Sequence, residues 1–226
     1  MTSNISQLIE AEEKASLLFK EIENKNLIVP GKTEKELNNE IFELAFEMFG
    51  IKKYWHKRIV RSGENTLKPY NENPKNLIIQ KDDILFIDFG PIFEDWEADF
   101  GRTFVIGNDE TKNKLKNDLE KAWKDCKNYY FSTKNITGED LYNYAKLSAK
   151  KYGWEFGGEI AGHIIGHFPH ESLEKEDKTN YIHPENKSKM NSLNQKNEKK
   201  EWILEIHFID EKLKIGGFFE QLLIEN

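Results

Sequence analysis

Apolar positions recur at spacings of three and four near the start of the chain. Leu8, Ala11, Ala15, Leu18 and Ile22 share one face, which predicts an amphipathic helix over residues 6–23. Pro30-Gly31 breaks the chain. Thr33, with Glu36 three residues on, has the form of a capping box and opens a second predicted helix. Leu37, Ile41, Leu44, Ala45 and Met48 form its buried stripe, and Gly50 ends it. Helical spacing returns over residues 109–131, with Leu115, Leu119, Ala122 and Cys126 on one face. It returns again from Thr137-Gly138-Glu139-Asp140 to about Lys151.

Between these helices the period shortens. Residues 55–61, 77–80 and 154–156 read as extended. Residues 84–90 and 99–106 are stronger strand candidates joined by a polar, acidic turn. Residues 202–208 and 218–224 are again apolar and strand-like, so they join the same core. Residues 172–201 are rich in Lys, Asn, Glu and Ser and are expected to form a surface loop or insertion. Helices and strands alternate without a βαβ repeat, which places the chain in the α+β class as a single domain, 1–226.

Acidic residues break the apolar strands at four places. In the first strand pair, a hairpin centred in the polar turn between Phe93 and Glu94 sets Asp88 opposite Asp99. In the last pair, a turn centred between Lys212 and Leu213 sets Glu205 opposite Glu220. Like charges opposed across strands are unfavourable. Two carboxylates 4 Å apart repel by about 4 kcal/mol at an effective dielectric of ~20. Burying either without a partner costs several kcal/mol more. Protonation relieves one acid of each pair; a divalent cation relieves all four, and carboxylates suit Mn, Co, Fe, Mg or Zn. Glu94, Asp95 and Glu97 are read as solvated turn acids.

Six histidines add to this chemistry. His163, His167 and His170 cluster in Ala161-Gly162-His163-Ile164-Ile165-Gly166-His167-Phe168-Pro169-His170-Glu171, where glycines permit close backbone approach. Imidazole is a common ligand of first-row metals and a proton carrier near neutral pH. His207, two residues after Glu205, is expected on the same strand face, bordering the site. His183 carries no expected role.

Composition narrows the class. The 226 residues carry 33 Lys and Arg against 40 Asp and Glu, a net charge of −7, which speaks against nucleic acid as a partner. The single cysteine, Cys126, closes no internal disulfide and fits a reducing compartment. Neither a secretory leader nor an apolar run of membrane-spanning length is seen. The protein is therefore expected to be cytoplasmic, away from membranes.

Taken in order, these residues resemble the pita-bread metallopeptidases: methionine aminopeptidase, Xaa-Pro aminopeptidase and prolidase, with creatinase as a non-peptidase relative. The likeness lies in Asp88 and Asp99 eleven residues apart, Gly162-His163 with His170-Glu171 seven residues on, and two separated glutamates, Glu205 and Glu220. It extends from Pro30-Gly31-Lys32-Thr33 to Glu220. The resemblance implies a curved, mostly antiparallel sheet covered by helices, in two pseudo-symmetric halves. It further implies two divalent ions (Mn, Co, Fe or Zn) held by Asp88, Asp99, His163, Glu205 and Glu220, with Asp99 and Glu220 bridging. Glu205 would also take a proton from the attacking water, His170 would contact the substrate carbonyl, and His56 would sit on the opposite rim near the scissile amide. Arg102 would pair with a buried carboxylate.

The chain departs from its relatives in having Glu205-Ile206-His207 where they usually have Glu-Pro-Gly, and Glu220-Gln221 where they usually have Glu-Asp or Glu-Asn. It is also expected to lack the extra N-terminal domain of Xaa-Pro aminopeptidases, prolidases and creatinases. The implied function is a dinuclear-metal aminopeptidase of Xaa-Pro peptidase type acting on a peptide. A creatinase-like amidohydrolase acting on a small amide is the alternative, followed by a non-catalytic binding module. A homodimer is left open.

Overall fold

The computed structural model describes residues 4–169, 177–194 and 197–225. Two helices open the chain, α1 (Asn4–Asn24) and α2 (Glu34–Phe49). The capping box forms as the sequence suggests. The Thr33 hydroxyl accepts the Glu36 N–H at 3.2 Å, and the Glu36 carboxylate accepts the Thr33 N–H at 2.7 Å. Gly50 closes α2 in the left-handed region at φ 70°. The buried stripe turns at its end onto Phe49, which packs edge-on against Phe93, and this leaves Met48 37% exposed.

Three strands follow: β1 (Ile59–Ser62), β2 (Ile84–Phe89) and, beyond the short ribbon β3 (Ile92–Phe93) and β4 (Trp96–Glu97), β5 (Phe100–Val105). The second half repeats the plan. Helices α3 (Glu110–Ser132) and α4 (Gly138–Tyr152) precede β6 (Glu155–Phe156), β7 (Ile164–Ile165), β8 (Glu201–Asp210) and β9 (Ile215–Leu222). The main sheet is antiparallel and runs β1-β2-β5-β9-β8-β6, with β7 on β8. Each half therefore contributes two helices and three main strands. The last strand of each half, β5 and β9, meets its counterpart at the centre.

Alternation along the strands separates two faces. Leu85, Ile87 and Phe89 of β2 join Leu18, Phe19, Ile22, Leu37 and Ile41 beneath α1 and α2. Leu204, Ile206 and Phe208 of β8 join Leu115, Leu119 and Trp123 beneath α3 and α4. The other parity, Phe86 and Asp88, Glu205 and His207, Phe218 and Glu220, faces a cleft.

Two expectations about the first hairpin change. Its turn is centred between Glu94 and Asp95, both with positive φ (51° and 72°), one residue later than the polar pattern suggests. Asp88 consequently pairs with Gly101, and Asp99 lies diagonally across from it on the same face. Glu97, read as a solvated turn acid, is buried on β4, where it meets the N–H of Gly166 at 3.3 Å. In the last hairpin Glu205 faces Glu220 as expected. Before Glu201 opens β8, the described part of the 172–201 stretch holds a short 3-10 turn, Lys178–Asn180, and it buries Ile182 and Met190 in the core.

Replacing Thr33 by Ala should lower unfolding stability by about 1 kcal/mol in urea titration, with Thr33→Ser keeping most of it. An unchanged midpoint for Thr33→Ala would show that the cap carries no stability.

Candidate metal centre

The cleft face of the central strands brings the four acids together. Glu205 and Glu220 are a directly opposed pair on β8 and β9. Glu220 also pairs across the central seam with Gly101, two residues from Asp99. His163, just before β7, reaches the cluster because Ile203 N–H donates to its carbonyl and holds its segment on β8. Asp88, Asp99, His163 and Glu220 are all buried; Glu205 is the least covered of the acids, its side chain 14% exposed.

The donor atoms form two groups that share Asp99. Those of His56, Asp88 and Asp99 lie within 4.8 Å of one another, as do those of Asp99, His163 and Glu220. His163 Nε2 donates to Asp99 Oδ2 at 3.1 Å and lies 3.4 Å from Glu205 Oε1. His56, expected on the opposite rim near the scissile amide, reaches the cluster. Its Nε2 donates to Asp99 Oδ1 at 3.0 Å and stands 3.5 Å from Asp88 Oδ1. His170 lies outside the described residues.

Burial and crowding set the proton affinities. Desolvation, reinforced by Asp99, pushes Asp88 up to about 7 against the pull of His56. It pushes Glu205 to about 8, with Asp99 and Asp88 adding to it. Glu220 is raised well above the usual range by the same burial and by repulsion from Asp99 and Asp88. Asp99 is buried too, but the attraction of His56 and the hydrogen bonds of both imidazoles outweigh desolvation and hold it at about 2. Burial would lower both histidines. Their carboxylate partners, Asp99 foremost, instead raise each to about 9. Each ring has an acceptor on both nitrogens, which is the imidazolium arrangement.

Second-layer contacts steady these groups. Among the described residues no carboxylate forms an ion pair with Arg102, contrary to expectation. Its guanidinium donates to the carbonyls of Gly101 and Glu220, both at 2.7 Å, and to the Gln221 side chain, between the rings of Phe100 and Phe219. It thus braces the backbone that carries Glu220, and Glu12 attracts it through space. His207 borders the cleft, where its Nε2–H donates to Thr66 O at 2.8 Å and burial lowers its proton affinity.

The residues present fit divalent cations. Asp88 Oδ1 and Glu220 Oε2 are buried with no hydrogen-bond partner among the described residues, an arrangement that costs stability unless a cation meets them. Four carboxylates with imidazoles also form a donor set suited to first-row divalent metals.

The cleft has a volume of about 460 Å³, within the range of small-molecule sites. Arg61, Tyr70, Tyr181 and His183 line it as well, and sequence reasoning assigned none of them. Only Arg61 carried a usable signal, since it shares the parity of Ile59 on β1. The distances of the others along the chain gave no hint.

Residues 6–195 match the model of metallopeptidase family M24, and the chain belongs to that family. Its fold is similar to that of an X-Pro aminopeptidase from Thermotoga maritima MSB8. The TM-score is 0.77 at 22% identity, covering 99% of this chain and 61% of that one. A prolidase from Thermococcus sibiricus gives a TM-score of 0.75 at 23% identity, over 98% and 59% of the two chains. A methionine aminopeptidase from Thermotoga maritima gives 0.69 at 15%, over 100% and 98%. The chain therefore spans about three-fifths of the first two and nearly all of the third. These likenesses carry the α+β pita-bread fold expected from the sequence. A comparison with curated protein sequences gives no match.

The proton affinities predict how the metal-free protein responds to pH. The raised acids ionise in the folded state only near pH 7–8, so their penalty is absent below about 4.5 and grows towards 8. The raised imidazoles stabilise the fold fully below 6.5 and lose this effect as pH rises through about 9. Both act in the same direction. In EDTA the thermal midpoint should fall from pH 6.5 to 9, and manganese or cobalt should restore it. A level or rising midpoint in EDTA would contradict the buried cluster.

Proposed function

We propose that the chain is a dinuclear-metal-dependent hydrolase, an aminopeptidase of Xaa-Pro peptidase type that removes an N-terminal residue. The observation that carries this reading is the convergence of Asp88, Asp99, His163, Glu205 and Glu220 on one cleft-facing sheet face, with two carboxylate oxygens that have no hydrogen-bond partner among the described residues. In this reading Asp88, Asp99 and Glu220 hold one ion, and Asp99, Glu220, His163 and Glu205 the other. Manganese, cobalt, iron and zinc all suit these donors. Bound there, such ions would supply Lewis-acid polarisation of a carbonyl and would lower the pKa of a water.

The chain's own groups do the rest. Glu205, the most accessible of the four acids, faces the cleft and receives the proton of the attacking water. His170 is assigned the hydrogen bond to the substrate carbonyl as charge develops there. Residual negative charge at the acids attracts a substrate ammonium. Arg61, Lys68 and Lys178 line the same cleft, a balance of charge that suits a short peptide with both termini free. Cys126 is free and buried, in keeping with a reducing, cytoplasmic setting. Among the described residues no helix is long and apolar enough to cross a membrane.

Peptides varied at their first and second residues, incubated with and without chelator, test the reading. Metal-dependent release of the free N-terminal residue is expected. An intact two-ion centre that cleaves no peptide would overturn the peptidase reading in favour of a small amide substrate. Asp99→Asn and Glu220→Gln should each abolish metal binding and activity with the fold largely kept, as read by metal analysis and circular dichroism. Unchanged metal content in both would contradict the assignment. His170→Ala should lower kcat with metal content retained, and equal loss of both would count against its role.

A further inference from the structure

We propose that the inner end of the cleft receives the side chain of the substrate's first residue and selects a large apolar one, phenylalanine or leucine, through a box of three rings, Phe86, His207 and Phe218. This deepens the peptidase reading above and rests on it.

Strand register sets the box beside the acids. Asp88, Gly101, Glu220 and Glu205 lie in one row across β2, β5, β9 and β8. Two residues along the same strands, about 7 Å away on the same face, a second row carries Arg61 opposite Phe86 and His207 opposite Phe218. The rings of Phe86 and Phe218 meet across the central seam with centroids 5.5 Å apart. The His207 ring stands steeply to both, at 6.0 and 6.1 Å. Phe218 lies over Gly101, where a Cβ would come within 2.6 Å of its ring. Gly101 pairs with both Asp88 and Glu220, so apolar surface begins next to both acids.

These side chains serve the cleft and not the core. Ile59 and Phe86 are buried, yet neither joins the hydrophobic clusters beneath the helices, and Phe218 is half-buried on the cleft. The end of the row is closed. His207 is fixed by its bond to Thr66 O at 2.8 Å. Arg61 donates to the carbonyls of Lys68, Pro69 and Glu72, so it walls the row by holding that loop and is no open anion site. The mouth carries Tyr70 and Asn71, both exposed. Later residues of a peptide leave through the mouth, so the closed end takes the side chain of the terminal residue, whose ammonium the acids attract. Steeply set rings favour a further apolar group, an aromatic one foremost. A charged side chain would lose its hydration there without gaining a partner.

Calorimetry with free amino acids and kinetics with tripeptides, both on the cobalt-loaded protein, test the box by binding and by turnover. Phenylalanine and leucine should bind at least about tenfold more tightly than glycine or aspartate. Phe-Ala-Ala and Leu-Ala-Ala should exceed Gly-Ala-Ala in kcat/KM by at least about a hundredfold. Phe218→Ala should reduce both ratios about tenfold with cobalt content retained. Phe86→Leu, a gentler change, should lower the preference for phenylalanine over leucine. Equal binding and cleavage for every first residue, or a preference for aspartate, would overturn the proposal and leave the peptidase reading standing. Selective binding of phenylalanine with no peptide cleaved would uphold the apolar box and overturn the peptidase reading. Neither binding nor cleavage would overturn both.

Discussion

Repulsion among four buried carboxylates is the constraint on which the rest of this structure turns. Apolar strands bring Asp88, Asp99, Glu205 and Glu220 to one face at the floor of a cleft, where water screens them only weakly. Positive charge has to arrive from elsewhere. Within the chain it comes from His56 and His163, which hold Asp99 ionised while Asp88, Glu205 and Glu220 are driven towards their neutral forms. A divalent cation does the same with greater charge, and in each of the two groups that share Asp99 the donor atoms lie within 4.8 Å of one another, close enough to meet one. The acids therefore make little sense as fold-stabilising groups. Their cost is met where function needs them.

The topology explains why the cluster lies where it does. Each half of the chain ends on a strand, and the two last strands, β5 and β9, lie side by side at the centre of the sheet. His56, Asp88 and Asp99 come from the first half; His163, Glu205 and Glu220 come from the second. A centre assembled across this seam exists only when both halves are folded and docked. Arg102 ties the seam together by reaching from β5 to the Glu220 carbonyl and the Gln221 side chain on β9.

Much of this was legible because it depends on parity and local chemistry. Helical spacing located α1 to α4, and the caps at Thr33 and Thr137 marked two starts. The last hairpin register followed from a turn rich in charged residues, so the opposition of Glu205 and Glu220 could be read directly. The first hairpin misled by one position, because a Glu-Asp pair in left-handed conformation lacks the glycine or asparagine that normally marks such a turn. Parity survived the shift, and Asp88 and Asp99 still share a face. The depth of His56 was not legible: its seat depends on Gly90 and Trp55 packing after the strands have paired, a tertiary fact with no local signature. The same holds for Glu97, drawn inwards by its backbone partner Gly166, and for the cleft positions of Tyr181 and His183.

An anomalous difference map from crystals grown with manganese bears most directly on the claim that dications make this crowding tolerable. Two peaks should lie in the cleft, both within coordination distance of Asp99 and Glu220. An empty cleft at saturating manganese, with the carboxylates in the same places, would contradict the account.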